Sequence, residues 1–342
     1  MDRPGGAGGW IAQGARCNPI GRPRVTTRPA LRVGTRHSPL ALYQARYFIG
    51  LIAQRRHPAI PAFDLLEHAI TTSGDRIQDR RLADIGGKGL FSKEIHEALL
   101  DDRVDCAVHS LKDLETELPA GLVLACTLRR EDPRDALILG PACRLADHGN
   151  PWSALPRGAV VGTASLRRQS QILWHRPDLR VEMIRGNVQT RLNIVRSGDK
   201  VAASLLALAG LRRLGLEDEA SLVLDPDVMV PAAGQGIIGI TTRADDYALR
   251  EVLAAIEDRE ARIVATAERA LLATLDGSCR TPIGSYARLL DNGEVHLTGM
   301  VARADGQFLL KRTLQGPSAD AAQLGAELGG SLRAEAPADI FR

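Results

Sequence analysis

The chain has 342 residues, of which 44% are hydrophobic, 25% charged and 4% aromatic, so it can form two or three globular domains with aliphatic cores. Forty-four basic and 41 acidic side chains leave a net charge of +3, which gives no support to nucleic-acid binding, and no apolar run reaches the roughly 18 residues of a membrane span. Five cysteines without CxxC spacing argue against a zinc site or a disulfide framework and favour a reducing, cytoplasmic compartment.

The first segment, residues 1–30, is rich in Gly, Pro and Arg and contains one acidic residue, Asp2. It lacks the apolar stretch of a secretory signal. We predict a disordered tail or a misassigned start, with an organelle transit peptide as the alternative reading.

Short apolar runs then alternate with segments of helical spacing. The first unit is predicted to contain four strands: Ala30–Thr35, Leu65–Thr71, Asp105–His109 and Leu122–Thr127. A turn at Ser110–Asp113 follows the third strand. A helix opens at Ser38-Pro39 and another spans Phe91–Leu100. Such alternation predicts an α/β fold with largely parallel sheets.

A second unit follows the polar stretch Arg129–Asp135 and repeats the alternation. Its predicted elements are Ala159–Gly162 (strand), Leu166–Trp174 (helix), Leu179–Ile184 (strand), Gln189–Arg196 (helix) and Val201–Leu206 (buried strand or helix start). A Gly-rich joint, Pro231–Gly236, leads to a strand at Ile237–Thr241. A third, α+β unit starts near Arg259, with one helix, a turn-rich loop and small antiparallel strands predicted at Ala261–Leu275, Asp276–Gly284, Glu294–Ala302 and Gln307–Leu314.

The first two units share a local pattern: Val33–Ser38 and Val161–Ser165 each run from a strand end through Gly-Thr to a Ser at a helix start. Ligands of α/β sheets bind at such strand ends, and helix N-termini favour anions. Two of these ends facing one another predict a carboxylate site between lobes, although Gly, Thr and Ser are also ordinary turn and cap residues.

Arginines concentrate at these strand ends. Arg167 and Arg168 lie at a helix start, where the dipole disfavours cations, so their placement costs stability unless an anion arrives. With Arg36 and Arg185 they form guanidinium forks suited to carboxylates, while each one alone could be a solvated surface charge.

Three further segments could carry chemistry. The strand ending in Lys112 and Asp113 places a carboxylate where it could stabilise a developing cation or pass a proton, or it is a plain surface turn. The glycine loop around Lys88 fits a mobile lid or a connector and lacks the P-loop pattern. Cys279, in a loop beside Arg280, would have an accessible and acidic thiol.

Taken together, the motifs resemble the hydroxymethylbilane synthase (porphobilinogen deaminase) family. The similarity spans about residues 31–290 and weakens towards the C-terminus. It rests on nine ordered blocks: Arg36–Leu42 (RHSPLAL), Gly86–Phe91 (GGKGLF), His109–Asp113 (HSLKD), Arg130–Ala136 (REDPRDA), Gly162–Gln169 (GTASLRRQ), Arg185–Val188 (RGNV), Gly210–Gly215, Pro231–Gly236 and Gly277–Gly284 (GSCRTPIG).

The resemblance implies two α/β lobes like those of periplasmic binding proteins, with mixed, mainly parallel sheets, and a small α+β C-terminal domain. The expected boundaries are a tail at 1–30, domain 1 at 31–128 plus 237–254, domain 2 at 129–236 and domain 3 at 255–342. It also implies a transferase that joins four porphobilinogen molecules head to tail, releases ammonia and hydrolyses off hydroxymethylbilane. We expect a cytoplasmic monomer that acts without nucleic acid, membrane or metal.

The resemblance also implies residue roles. Cys279 is expected to carry a dipyrromethane cofactor through a thioether. Asp113 matches the catalytic carboxylate, which assists ammonia loss and stabilises the cationic azafulvene. Phe91 matches the lid. The residues expected to bind cofactor and substrate carboxylates, with Lys88 beside the lid, are Arg36, Ser38, Lys88, Lys112, Thr163, Ser165, Arg167, Arg168, Arg185 and Arg191.

Two other functions are alternatives to this prediction. A solute-binding protein would explain a cationic cleft but not the third unit with Cys279, and no secretory signal is recognised. A cysteine-dependent acyltransferase would leave the arginine pair without a role. The mass of a covalent adduct on Cys279 separates the three.

Overall fold

The computed structural model describes residues 30–54, 64–76, 89–144, 147, 150–275 and 281–341. The predictions for Lys88 and Cys279 therefore lie outside the described residues, as does the predicted tail up to residue 29. Ala30 already begins the first strand.

The first sheet has five strands in the order β2-β1-β3-β10-β4. Their bounds are β1 Ala30–Arg36, β2 Asp64–Ile70, β3 Cys106–Ser110, β4 Leu122–Thr127 and β10 Ile238–Arg243. Strand β1 is parallel to β2 and β3, whereas β10 runs antiparallel to β3 and β4. The helices of this part are α1 Pro39–Gln54, α2 Ser73–Arg76, α3 Lys93–Leu100 and α7 Tyr247–Ala254.

A second five-stranded sheet repeats this arrangement in the order β7-β6-β8-β5-β9. Its strands are β5 Asp135–Leu139, β6 Val160–Gly162, β7 Arg180–Glu182, β8 Ala203–Ala207 and β9 Leu222–Val223. Strand β6 is parallel to β7 and β8, and β5 is antiparallel to β8 and β9. Its helices are α4 Leu166–His175, α5 Val188–Ser197 and α6 Leu208–Arg213.

Each five-stranded sheet thus combines parallel strands with an inserted antiparallel one. Because β4 precedes β5 and β10 follows β9, the chain crosses between the sheets twice, at residues 128–134 and 224–237. The predicted α/β class with mixed sheets is confirmed, and both sheets contain parallel and antiparallel pairings. Parallel strands place their carboxyl ends at one sheet edge, which is where ligands bind in this class.

The third part is a three-stranded antiparallel sheet packed on two helices. Its elements are α8 Arg259–Thr274, β11 Ile283–Leu289, β12 Glu294–Ala302, β13 Leu309–Pro317 and α9 Ala321–Glu335. The small α+β C-terminal unit is confirmed, although helix α9 was not among the predicted elements. Within the described residues, no helix is both long and apolar enough to cross a membrane.

Candidate active site

The site begins at the carboxyl end of β3. This strand is buried, and the chain then turns through one short 3₁₀ segment, Leu111–Asp113. The Leu111 side chain is 1% exposed, and its N–H donates to the carbonyl oxygen of Ile237 at 2.9 Å. A buried leucine therefore anchors the turn, and the Asp113 side chain, 36% exposed, projects beyond it.

Arg36 ends the neighbouring strand β1 and approaches Asp113. Its Nη1 lies 3.9 Å from Oδ2 of Asp113. The same guanidinium forms an ion pair with Asp75 and stacks on the Phe91 ring, 4.1 Å from the ring centroid. The structure thus brings together Arg36, Asp113 and Phe91, as the sequence suggested, and adds Asp75.

Three hydroxyl groups that are predicted to bind carboxylates also accept main-chain N–H bonds at helix starts. Ser38 Oγ accepts the Ala41 N–H at 3.3 Å at the start of α1. At the start of α4, Ser165 Oγ accepts the Arg168 N–H at 3.4 Å, and Thr163 Oγ1 accepts the Ser165 N–H at 3.1 Å. These bonds stabilise the two helix starts, and direct contact with a ligand stays a prediction for all three hydroxyls.

Arg167 and Arg168 at the start of α4 are buried, with 6% and 5% exposure. Arg167 Nη1 lies 2.8 Å from Oδ2 of Asp135, and Arg168 Nη2 lies 2.7 Å from its Oδ1. Both also donate to main-chain oxygens, of Val230 and Leu205 respectively. Asp135 thus supplies, from within the protein, an anion of the kind that the placement of these cations requires.

The Asp135 carboxylate is completely buried, and the two guanidinium groups hold its pKa well below the usual range against the opposing effect of burial. The desolvation cost of burying these charged groups is offset only while the carboxylate and the guanidinium groups are all present. One carboxylate offsets one of two cations, so the three side chains together keep a net positive charge. The prediction that Arg167 and Arg168 hold ligand carboxylates is compatible with this charge and stays a prediction.

Gln235 joins this cluster to the first sheet. Its Nε2 donates to Oδ1 of Asp135 at 2.9 Å, and its Oε1 accepts from Lys112 Nζ at 3.3 Å. The pKa of Lys112 is lowered to about 8, mainly by desolvation and also by Arg168, while Asp113 raises it. Lys112 is therefore held beside Asp113 at the edge of the arginine cluster.

Two more predicted arginines lie at the same edge. Desolvation lowers the pKa of Arg191 to about 10, with Arg168 and Arg185 acting in the same direction and Asp113 opposing them. Arg191 Nε donates to the carbonyl of Gly186 at 3.1 Å. Arg185 Nη2 reaches across from the second sheet to the Gly74 carbonyl oxygen at 3.4 Å. In the described part of the chain, three of the predicted cations interact with Asp113: Arg36, Lys112 and Arg191.

These surroundings provide a test for the dipyrromethane that the resemblance implies. Such a group carries carboxylate arms, and cations whose pKa values fall because they are crowded and desolvated are suited to carboxylates. Arg168 Nε adds a buried donor with no hydrogen-bond partner among the described residues. The residues present therefore fit the group, while the attachment point, Cys279, lies outside the described residues.

Three polar residues of the site were missed by sequence reasoning: Asp75, Asp135 and Gln235. Asp135 is the last acid of the block REDPRDA and Gln235 belongs to PAAGQG, so both stood in recognised motifs to which no site residue had been assigned. Their signal was position: Asp135 begins the first strand after one chain crossing, and Gln235 lies within the other. Asp75 carried no comparable signal, since it is one acid in a polar stretch.

A first prediction concerns Asp135. The Asp135→Asn variant leaves two buried guanidinium groups without a countercharge, and we expect the free energy of unfolding to fall by about 3–5 kcal/mol. Denaturant titration measures this change. The matched control is Asp339→Asn, which removes an exposed partner of Arg303 and should cost at most about 1 kcal/mol. Equal losses in the two variants would contradict the assigned role of the buried cluster.

Comparison with protein families gives two matches. Residues 31–251 match the family described as "Porphobilinogen deaminase, dipyromethane cofactor binding domain". Residues 263–334 match "Porphobilinogen deaminase, C-terminal domain". The first match alone covers more than half of the chain.

Three curated relatives are each named porphobilinogen deaminase. The protein of Paracoccus denitrificans is 46% identical over 91% of this chain and 96% of its own length. That of Nitrobacter hamburgensis is 49% identical over 90% and 94%, and that of Sorangium cellulosum is 48% identical over 89% and 98%.

Among solved structures, the VFT2 domain of Bordetella pertussis BvgS is 14% identical with a TM-score of 0.38, over 70% of this chain and 93% of that domain. A TM-score at that level carries no functional conclusion.

Proposed function

The chain belongs to the porphobilinogen deaminase family, and we propose that it performs the hydroxymethylbilane synthase reaction at the site around Asp113. It is a transferase of tetrapyrrole biosynthesis that uses a dipyrromethane cofactor. The assignment of the site rests on the grouping of cations around one carboxylate. Arg36 lies within ion-pair distance of Asp113, and the charge of Asp113 raises the pKa values of Lys112 and Arg191 against the lowering effect of burial.

The proposed role of Asp113 follows from its position. Its carboxylate is partly exposed at a strand end, and its ion pair with Arg36 is long, with 3.9 Å between Nη1 and Oδ2. A negative group there can accept hydrogen bonds from pyrrole N–H groups and stabilise the positive charge that develops as ammonia leaves the substrate. The bound cofactor supplies the pyrrole carbon to which the incoming ring is joined.

The surrounding cations are proposed to hold carboxylates. Each porphobilinogen brings two, so negative charge accumulates in the cleft as the chain grows. Arg36, Lys112, Arg185 and Arg191 offer donors at the mouth, and the Arg167–Arg168 pair supplies positive charge behind them. Fixed donors keep each ring in register and reduce the reorganisation that each condensation requires. Asp135 orients the Arg167–Arg168 pair, and Gln235 links Asp135 to Lys112.

Six further residues complete the proposed site. Phe91 is proposed to line the lid side of the site, because its ring supports Arg36. Ser38, Thr163 and Ser165 are proposed ligands whose hydroxyls already stabilise helix starts. Lys88 and the thioether to Cys279 are proposed from the family motif. We further propose that the protein is a cytoplasmic monomer that requires neither nucleic acid nor metal.

The pH dependence of substrate affinity tests Lys112. Its pKa is about 8, so raising the pH through 8 removes the charge that would bind a substrate carboxylate. We expect KM for porphobilinogen to rise above pH 8 and to stay low below it. In Lys112→Met, KM should be high at every pH and lack this alkaline rise. If KM rises by the same factor above pH 8 in Lys112→Met, the alkaline rise belongs to another group.

The reaction itself is tested by stoichiometry on the purified full-length protein. Porphobilinogen consumption and ammonia release should be equal, and each hydroxymethylbilane should account for four of each. Intact mass should show a covalent adduct of two pyrrole units before substrate is added. Porphobilinogen that is bound but not consumed would contradict the enzyme and favour a solute-binding protein.

A further inference from the structure

The turn that carries Asp113 is held by a cation from the third part of the protein. Arg269, on helix α8, donates from Nη1 to the carbonyl oxygen of Leu114 at 3.3 Å. Its Nη2 donates to the carbonyl oxygens of Glu115 at 2.6 Å and Thr116 at 3.0 Å. One guanidinium therefore binds three consecutive carbonyls that directly follow the catalytic turn.

The apolar side of the same turn also belongs to the third part. Leu111 and Leu114, with 1% and 5% exposure, lie in one buried cluster with Val264 and Leu271 of α8. The turn thus continues a strand of the first sheet while it packs on the core of the C-terminal unit. Polar and apolar contacts independently connect it to the same helix.

The chemistry at this point requires a guanidinium. Three carbonyl oxygens along a bend demand several donors in a fixed plane, which Arg provides and a single ammonium does not. Burial lowers the pKa of Arg269 to about 10, and the nearby Glu115 charge opposes this shift. The Glu115 carboxylate is itself bound by Ser92 Oγ at 2.8 Å, so Arg269 binds the main chain of Glu115.

The same helix leads towards the cofactor attachment loop. Helix α8 ends at Thr274, and Cys279 follows five residues later in the sequence. A tie between α8 and the residues after Asp113 would therefore fix the catalytic carboxylate relative to the unit that holds the cofactor. Such a tie matters because a displacement of about 1 Å at a reacting centre can lower the rate by about two orders of magnitude.

We propose that Arg269 is a positioning residue for the condensation reaction, holding the Asp113 turn in register with the cofactor-bearing unit through the carbonyls of residues 114–116. The proposal rests on the catalytic role proposed above for Asp113. It assigns to Arg269 no contact with substrate or cofactor.

The test compares Arg269→Leu with Arg262→Leu in the full-length protein. Arg262 lies seven residues earlier on α8 and also donates to a carbonyl of the first sheet, that of Leu124 at 3.2 Å, which belongs to strand β4 and not to the Asp113 turn. We expect Arg269→Leu to lower kcat by about 10–100-fold with KM changed less than about threefold. Arg262→Leu should keep kcat near that of the wild type.

Two readouts distinguish positioning from general damage. Intact mass should show the same adduct occupancy in Arg269→Leu as in the wild type. Amide hydrogen exchange should accelerate at residues 111–117 in Arg269→Leu and remain unchanged there in Arg262→Leu. Arg269→Lys keeps the charge and should restore part of the lost kcat, and it replaces the Leu variant if that chain does not fold.

An unchanged kcat in both Arg269 variants would overturn the proposal, as would equal slowing in Arg262→Leu and Arg269→Leu. Asp113→Asn in the same series separates this failure from that of the proposed function. If Asp113→Asn is inactive while the Arg269 variants are normal, only the positioning role fails. If Asp113→Asn is fully active, the proposed catalytic role of Asp113 fails, and so does the positioning role that rests on it.

Discussion

Replacing Cys279 by alanine is expected to yield a protein without the covalent adduct and without turnover. The remaining cysteines that the structure describes are poor alternatives, because Cys106, Cys126 and Cys143 are all buried. Burial raises the pKa of the Cys126 thiol to about 12 and raises that of Cys143 as well. A thiol that stays protonated and shielded is a poor nucleophile. Intact mass and peptide mapping measure the adduct.

Two variants serve as controls for this result. Cys17→Ala removes the other cysteine that lies outside the described residues and should keep both adduct and turnover. Cys143→Ser preserves a donor to the Ala202 carbonyl, 3.3 Å from Sγ, and should also remain loaded. An adduct of normal mass on Cys279→Ala would place the attachment elsewhere and remove the thioether assignment.

Several strands and helix starts were predictable because the residues within each of them all favour the same local structure. Leu122–Thr127 and Glu294–Ala302 match their predicted bounds, since apolar runs flanked by turn residues leave few alternatives. The Ser165 cap was equally local: its side chain binds a main-chain N–H three residues later. Features decided within one turn or one strand can be read from their own residues.

Helix α9 was missed for a reason that is visible in its packing. It contains Gly325 and Gly329, which lower helix propensity and interrupt the apolar pattern. A Cβ on Gly325 would lie 2.2 Å from the Ala267 carbonyl oxygen on α8. The glycines therefore permit close contact between two helices, an advantage that exists only in the assembled third unit.

The arginine pair shows the same limit at the site. Sequence reasoning recognised that Arg167 and Arg168 require an anion, but it could not show that Asp135, more than thirty residues earlier, provides one. Strand β5 brings that carboxylate beside the start of α4 only when the second sheet forms. Which charges are neutralised internally is a property of the tertiary fold.

This internal neutralisation determines what the cleft offers a ligand. Asp135 offsets one unit of charge in the buried pair, and Asp75 is paired with Arg36. Lys112 and Arg191 keep pKa values lowered to about 8 and 10 by their cationic, desolvated surroundings. A carboxylate that arrives between them is therefore favoured, and Asp113 is the protein carboxylate that faces them. We therefore propose that the negative charge of Asp113 serves the reaction rather than the binding of an acidic substrate.

Replacing Asp113 by asparagine is accordingly expected to lower kcat by about 10²–10⁴-fold, since the shape and one acceptor oxygen remain while the charge is lost. KM should not increase, because the substrate carboxylates no longer meet a like charge. Steady-state kinetics measure both values, and intact mass should still show the adduct. Glu117→Gln, which removes an exposed carboxylate of the following loop, should behave as the wild type. Retention of near-normal kcat in Asp113→Asn would mean that the developing positive charge is stabilised by another group, and the cationic cleft would then lack its proposed catalytic centre.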